Sequence, residues 1–261
     1  IILRKYKPTT VHSATAKANL MSLIACQFLG NTKLILSISG MGTLFTGRVR
    51  MRKLILQKLY KLIFKTLLKG IRFNLIFQNK DDYKNYKSFI NFNDSEANII
   101  EGSGVDIKRL KPIEKKSNII KVLLPARMLY EKGIQEFINA IKILKSENID
   151  GKFYLAGNTV SINPSAIKRK VIDNWVSKGL IYYLGYQHNL KILYEDIDIV
   201  CLPSWREGFP KVLMEAASFG LPVITTNVPG CRDAVINNVA GIIVPLQNEA
   251  KLANAIKILI K

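Results

Sequence analysis

Acidic residues are missing from the opening of the chain: no Asp or Glu precedes Asp81, whereas fifteen Lys and Arg do. Over all 261 residues, 39 Lys and Arg stand against 19 Asp and Glu, a formal charge of +20. So one-sided an excess points to an anionic partner, either nucleic acid or an acidic membrane surface. No nucleic-acid-binding motif occurs, and the aromatic residues are not interleaved with the charge as stacking platforms, so the expectation is no nucleic acid. Histidine is scarce, with only His12 and His188, which excludes a histidine-rich metal site. Cys26, Cys201 and Cys231 are odd in number and form no C-x-x-C, so a reducing compartment is expected rather than a disulfide framework. No uncharged apolar run is long enough to span a bilayer, and no signal-peptide pattern is seen. The chain starts at Ile1 rather than Met, which leads us to expect a fragment.

What is present reads as globular. Apolar residues make up 48% and charged residues 22%, enough length and apolar content for one large or two modest domains. Short apolar runs alternate with helix-like segments throughout, which predicts α/β structure with parallel, helix-covered sheets. Strands are expected at 9–12, 33–39, 73–78 and 97–101, with helices at 14–29, 48–69 and 81–89 between them. On the first helix Leu20, Leu23, Ile24 and Phe28 form the expected buried face. From Ile107 to about Ser117 the pattern lapses into charge and proline before a complete βα series restarts at Ile119. That predicts an N-terminal lobe over 1–106, a linker over 107–118 and a C-terminal lobe over 119–261.

Leu202-Pro-Ser-Trp-Arg-Glu-Gly-Phe-Pro-Lys-Val-Leu-Met-Glu-Ala-Ala-Ser-Phe-Gly-Leu-Pro-Val223 organises the second lobe. It reads as a strand end, a loop holding Glu207 and Gly208, a helix holding Glu215, and a new strand. Loops at the carboxyl ends of strands are where open α/β sheets bind ligands. Taken alone, the two carboxylates also fit a solvated loop and one exposed helical Glu. The whole string resembles the Glu-x7-Glu element of retaining glycosyltransferases of family 4, which have the two-lobed GT-B fold with two Rossmann-like domains. That resemblance implies that Glu207, with Gly208 and Phe209 beside it, meets the donor sugar, and that Glu215 holds the ribose of a UDP-sugar.

The resemblance extends over nearly the whole chain. It implies that Arg127 and Lys132, in the loop after the lobe's first strand, grip the nucleotide diphosphate. Fixed positive charge there stabilises the leaving group, so no cofactor is expected and no metal is required for chemistry. It also implies uracil contacts around Gly185 and Tyr186, where a plain strand end is an equal reading. Asp196-Ile-Asp198 has the spacing of a metal-binding D-x-D, but its place between a helix and an apolar strand points to structural use. In the first lobe, His12-Ser-Ala-Thr-Ala-Lys17, Ser39-Gly-Met-Gly-Thr-Leu-Phe45, Phe77-Gln-Asn-Lys-Asp-Asp82 and Gly102-Ser-Gly-Val-Asp106 resemble a narrower group. These enzymes act on undecaprenyl-diphosphate-linked saccharides in bacterial surface-glycan synthesis. His12 stands where the family places a histidine near the donor sugar, and a hydrogen-bonded strand-end histidine fits it as well. The family's glycine-rich loop and closing helices have no counterpart here, so the N-terminal lobe is expected to be incomplete and the isolated chain weakly active or inactive.

Lys58, Lys61, Lys65 and Lys69 recur at helical spacing on one face of the basic segment 48–69, with Leu59, Leu62, Ile63 and Leu67 on a neighbouring stripe. A solvated face and an anionic membrane surface both fit them. The expectation that gathers these observations is a retaining transferase moving an N-acetylhexosamine from a UDP-sugar to a polyprenyl-diphosphate-linked acceptor, cytoplasmic and peripheral at the inner face of the cytoplasmic membrane. A sugar-nucleotide epimerase or hydrolase of the same fold, and a non-catalytic basic membrane-binding remnant, are the alternatives.

Overall fold

The computed structural model describes residues 2–40, 51–108, 119–159 and 163–260. Residues 41–47 of the loop expected at 40–47 after the 33–39 strand, the opening of the basic helix at 48–50, and 109–118 of the expected linker lie outside the described residues. Two compact units make up the chain: Ile1–Ser103 with Glu207–Phe209, and Gly104–Arg206 with Pro210–Lys261.

The first unit runs α1 (Ile2–Tyr6), β1 (Thr10–Ala14), α2 (Ala16–Cys26), β2 (Lys33–Ile38), α3 (Met51–Leu67), β3 (Phe73–Phe77), α4 (Lys80–Lys87) and β4 (Ala97–Ile99). Its strands lie in the order β1-β2-β3-β4, each pair parallel. Along β2, Leu34, Leu36 and Ile38 alternate with Ile35 and Ser37; along β3, Leu75 and Phe77 flank Ile76. Period-two alternation sends the first set to one face, where they are buried against Leu23 and Cys26 of α2, Phe64 of α3 and Tyr86 of α4. Tyr86 meets Phe64 and Phe77 edge-on, with centroids 5.4 and 5.5 Å apart. All three helices thus cover the same face of this sheet.

Two helices turn differently from expectation. On α2 the buried positions are Asn19, Leu23 and Cys26, while Ile24 and Phe28 are exposed. The fully buried Asn19 explains the rotation: it accepts from Ser13 Oγ (2.8 Å) and donates to Ser37 O (2.9 Å), and these bonds draw a polar position into the sheet. On α3 the inward residues are Phe64, Tyr60 and Leu67, so the expected apolar stripe is split: Leu67 packs inward while Leu59 and Leu62 are exposed. Lys61 stays on the lysine face by its spacing but is half-buried, with its Nζ over the Phe89 ring, 5.2 Å from the centroid. The short helix α1 has no periodic signal in the sequence that would announce it.

The second unit runs β5 (Lys121–Pro125), α5 (Ile134–Ser146), β6 (Lys152–Ala156), α6 (Arg169–Ser177), β7 (Tyr182–Tyr183), α7 (Leu190–Glu195), β8 (Ile199–Leu202), α8 (Lys211–Ser218), β9 (Val223–Thr226), β10 (Gly241–Val244) and α9 (Glu249–Ile260). The parallel order is β10-β9-β8-β5-β6-β7. From β5 the chain builds outward through β6 and β7, then resumes on the other side at β8. The carboxyl ends of β5 and β8 therefore frame a topological switch point, the usual ligand position in such sheets. Both faces are covered: Val122, Leu124, Ile199 and Cys201 enter a core with α5, α6 and α9, while Leu123, Val200 and Leu202 enter another with α7 and α8. The sequence from about Pro164 to Lys178 reads as one helix, yet helix α6 begins only at Arg169. The intervening backbone is engaged elsewhere: Tyr130 N donates to Ser165 O (3.0 Å) and Ile167 N to Met128 O (2.9 Å).

Candidate functional site

The loops after β5, β6 and β7 are bonded into one rim of the second unit. Ala126 N donates to Ala156 O (2.9 Å), Met128 N to Asn158 O (2.9 Å) and Gly157 N to Gly185 O (2.7 Å). Tyr183 Oη donates to Gly157 O (2.7 Å). These bonds continue the strand ladder beyond the strand ends, so the loop backbones are fixed rather than loose. Gly157 has φ 151°, and a Cβ there would stand 1.9 Å from Ala126 O, so the approach of the first two loops requires glycine.

This rim opens on a cavity of about 280 Å³, lined among others by Ala126, Arg127, Gly157, Asn158, Tyr186 and Gln187. Arg127 is exposed, and among the described residues its guanidinium has no carboxylate partner. Tyr186 is 56% exposed, its ring edge-on to His188 with centroids 4.7 Å apart. Arg127 and Tyr186 thus line one cavity, while Gly185 is not in its lining and is bonded to it through Gly157 N. A pocket of this size takes a ring-sized part of a ligand, with a cation in its lining for an anionic group.

Lys132 ends a 3-10 turn, Tyr130–Lys132, held from below by the loop after β8. Trp205 N and Ser204 Oγ both donate to Glu131 O, at 2.8 and 3.1 Å. Trp205 Nε1 donates to Glu136 Oε1 of α5 at 2.8 Å. Gly133, at φ 72°, lets Pro203 pass beneath it; a Cβ there would stand 2.0 Å from Pro203 O. Thr226 Oγ1 bonds Ser204 O, and Thr225 Oγ1 donates to Leu202 O (2.8 Å), tying the same loop to β9. Sequence reading singles out Glu207 on this loop and misses the truss of Ser204, Trp205 and Glu136 behind it.

Glu215 projects from α8 with its side chain 14% exposed. Lys211 Nζ lies 3.4 Å from Oε1, and Tyr194 Oη lies 3.4 Å from Oε2. Tyr194 is fully buried; burial, and then the Glu215 carboxylate, push its phenol far above the ordinary range. It therefore stays protonated and faces Glu215 as a donor. No motif announces Tyr194, whose position on an apolar helix face looks like plain core.

Glu207, Gly208 and Phe209 belong to the first unit, where Asn79 Nδ2 donates to Gly208 O (2.8 Å). Asn79 also caps α4 through its Oδ1, which accepts from Asp82 N (2.8 Å), so the Phe77–Asp82 string serves a helix start. His12, on β1, is exposed, with Nε2 2.8 Å from Ser37 Oγ. The expected site residues therefore divide: Arg127, Lys132, Gly185, Tyr186 and Glu215 lie in the second unit, and His12, Glu207, Gly208 and Phe209 in the first. The D-x-D triplet braces β5. Lys121 N donates to Asp198 Oδ2 (2.7 Å), and Lys121 Nζ pairs with Asp196, whose hydrogen bond raises the lysine above its ordinary value. Among the described residues no group of three His, Cys, Asp or Glu is placed to hold a metal ion.

Comparison with known proteins gives this geometry a family. The family described as "Glycosyl transferases group 1" matches residues 120–261. Over 276 residues the chain is 26% identical to the N,N'-diacetylbacillosaminyl-diphospho-undecaprenol alpha-1,3-N-acetylgalactosaminyltransferase of Campylobacter jejuni, covering 100% of this chain and 70% of that protein. It is 23% identical over 271 residues to the UDP-Gal:alpha-D-GlcNAc-diphosphoundecaprenol alpha-1,3-galactosyltransferase of Escherichia coli, covering 98% of this chain and 67% of that one. Among solved structures, Anabaena Alr3699/HepE in complex with UDP-glucose superposes with a TM-score of 0.81 at 18% identity, over 100% of this chain and 71% of the other. At that identity the likeness shows the fold, a GT-B arrangement of parallel α/β sheets, as the motifs lead one to expect. The family match spans more than half of the chain and contains the cavity, Arg127, Lys132 and Glu215: the protein belongs to the group 1 glycosyl transferases and is a glycosyltransferase.

Proposed function

We propose that this chain serves a retaining transferase that moves an N-acetylhexosamine from a UDP-sugar to a polyprenyl-diphosphate-linked acceptor in bacterial surface-glycan synthesis. The observation that carries the reading is the cavity beyond β5–β7, lined by an exposed Arg127 that has no carboxylate partner among the described residues, on a chain of this family. The names of the Campylobacter and Escherichia relatives, both acting on diphospho-undecaprenol sugars, support the acceptor class. UDP-glucose in the Anabaena structure supports the donor class.

In this reading the cavity receives the uracil beside Gly185 and Tyr186. Arg127 and Lys132 hold the diphosphate, Glu215 the ribose, and Glu207 with Gly208 and Phe209 the sugar, with His12 near it. The acceptor hydroxyl oxygen bonds to the anomeric carbon on the face from which the UDP oxygen departs, and its proton passes to that departing phosphate. The two cations supply the charge stabilisation, so no metal is assigned a chemical role. Attachment is peripheral, at the inner face of the cytoplasmic membrane, through the basic face of α3; Lys58 and Lys65 are exposed on it, Lys61 is half-buried, and Lys69 is exposed just beyond the helix end.

Titration calorimetry with UDP tests the assignment. Arg127→Ala and Glu215→Gln are expected to weaken UDP binding by about tenfold or more, the weight of a hydrogen bond to a charged group. Glu207→Gln is expected to spare UDP and to lower sugar transfer. Equal losses of UDP affinity in both glutamate variants would refute the division of roles. Product analysis with and without lipid-linked acceptor, repeated in chelator, separates transfer from hydrolysis or epimerisation; turnover abolished by chelation alone would return a metal to the mechanism.

A further inference from the structure

Helix α3 presents a row of large apolar side chains outward. Met51, Ile55, Leu59 and Leu62 recur at intervals of four, four and three, and they are 72%, 59%, 48% and 62% exposed. That spacing lays them along a single stripe of the helix. The opposite stripe does the ordinary work of the fold, with Phe64 fully buried and Tyr60 and Leu67 packed beside it. One helix therefore has two apolar faces, one against the sheet and one against solvent. Four large apolar residues in a row on the outside are more than the scattered exposure normal for a soluble domain.

What flanks the stripe identifies its occupant. Arg52, Lys58, Lys65 and Lys69 are exposed around it, and the chain has no acidic residue before Asp81. A protein partner burying such a stripe would have to match the cations with its own carboxylates. A bilayer with anionic headgroups meets both demands, taking the apolar stripe at acyl depth and the long basic side chains at the phosphates. No described helix is long and apolar enough to cross a membrane, so α3 lies along the surface.

We infer that α3 is an interfacial helix that inserts the Met51–Ile55–Leu59–Leu62 crest into an anionic lipid surface, with the lysines as its electrostatic rim. This rests on the proposed lipid-linked acceptor and deepens it: attachment is chiefly by apolar insertion, and charge alone does not hold it.

The test is co-sedimentation of the whole chain with vesicles of about three parts phosphatidylcholine to one part phosphatidylglycerol. Binding is expected, with only partial release at about 0.5 M salt, because screening acts on the rim and not on the crest. The triple variant Ile55→Gln/Leu59→Gln/Leu62→Gln should bind about tenfold more weakly or worse, with an unchanged circular dichroism spectrum since these side chains leave the core alone. As a second readout, Leu59→Trp should add an indole emission that shifts to the blue on vesicles and is quenched by brominated acyl chains. No vesicle binding, full release by salt, undiminished binding of the triple variant, or an emission from the Leu59→Trp variant that vesicles leave unshifted each overturns the inference. So does a dimer that the triple variant abolishes in the absence of vesicle binding, which gives the crest to a second copy. Calorimetry with UDP on the same preparation reports separately on the functional reading, so either can fail while the other stands.

Discussion

Thr15 holds φ 80° and ψ 150° at the start of α2, a region open to glycine and hostile to a β-branched side chain. Its hydroxyl makes no capping bond to compensate, although its carbonyl accepts from Asn19 N at 2.9 Å. Such a conformation costs about 1–3 kcal/mol. Thr15→Gly removes that cost and adds roughly 0.5–1 kcal/mol of unfolded-chain entropy, so a net stabilisation of about 1 kcal/mol is expected. A chemical-denaturation midpoint that falls instead would show the strain is not there. At this scale the sequence names the polar strings but not the work of each member. His12-Ser-Ala-Thr-Ala-Lys17 draws attention for its histidine, whereas its structural weight falls on Ser13 and the Ser37 bond shared through Asn19. Tyr194 is invisible in the sequence because burial and a carboxylate from another helix, not its neighbours along the chain, set its chemistry.

Whole elements show which local signals survive folding. The runs Lys152–Ala156, Val223–Thr226 and Gly241–Val244 are legible to the residue, since strands of a helix-covered sheet are short apolar stretches bounded by glycine, proline or polar turns. Helix faces are less legible. Asn19 turns α2 through hydrogen bonds to two strands, and Phe64 turns α3 by filling the core, neither of which periodicity reveals. The late start of α6 has the same origin, because its expected first turn lends backbone groups to the Met128–Tyr130 loop. The truss under that loop supports a measurable prediction. Glu136 Oε2 is buried without a hydrogen-bond partner among the described residues, so the Trp205 indole is what compensates this carboxylate. Trp205→Phe should cost about 1.5–3 kcal/mol, as expected for stranding a buried charged acceptor. Glu136→Met alone should cost less, and the double variant should recover much of the Trp205→Phe loss. Additive losses in that cycle would mean that the two side chains act independently.

Across the whole molecule, charge and core are distributed unequally. The second unit's sheet is packed on both faces, and its central β8 contributes to two separate cores. In the first unit α2, α3 and α4 cover one face of the sheet, through a single core. The +20 charge is concentrated at the opening of the chain, where fifteen basic residues precede the first carboxylate. Mutual repulsion therefore opposes compaction most in the unit with the smaller core. Local opening free energy follows buried contacts, so amides of β8 should exchange with solvent more slowly than those of β1 and β2. Salt should act unevenly on that ranking. Raising ionic strength from about 0.02 to 0.3 M shortens the screening length several-fold, which relieves repulsion in the first unit and leaves the apolar packing of β8 nearly untouched. Hydrogen exchange at the two salt concentrations is the measurement, with a larger gain in protection expected for β1 to β3 than for β5, β8 and β9. The same change in salt should loosen the lysine rim of α3 from anionic vesicles, so fold stability and membrane binding are expected to move in opposite directions. An equal gain in both units would place the cost of the charge elsewhere than in the first unit's sheet.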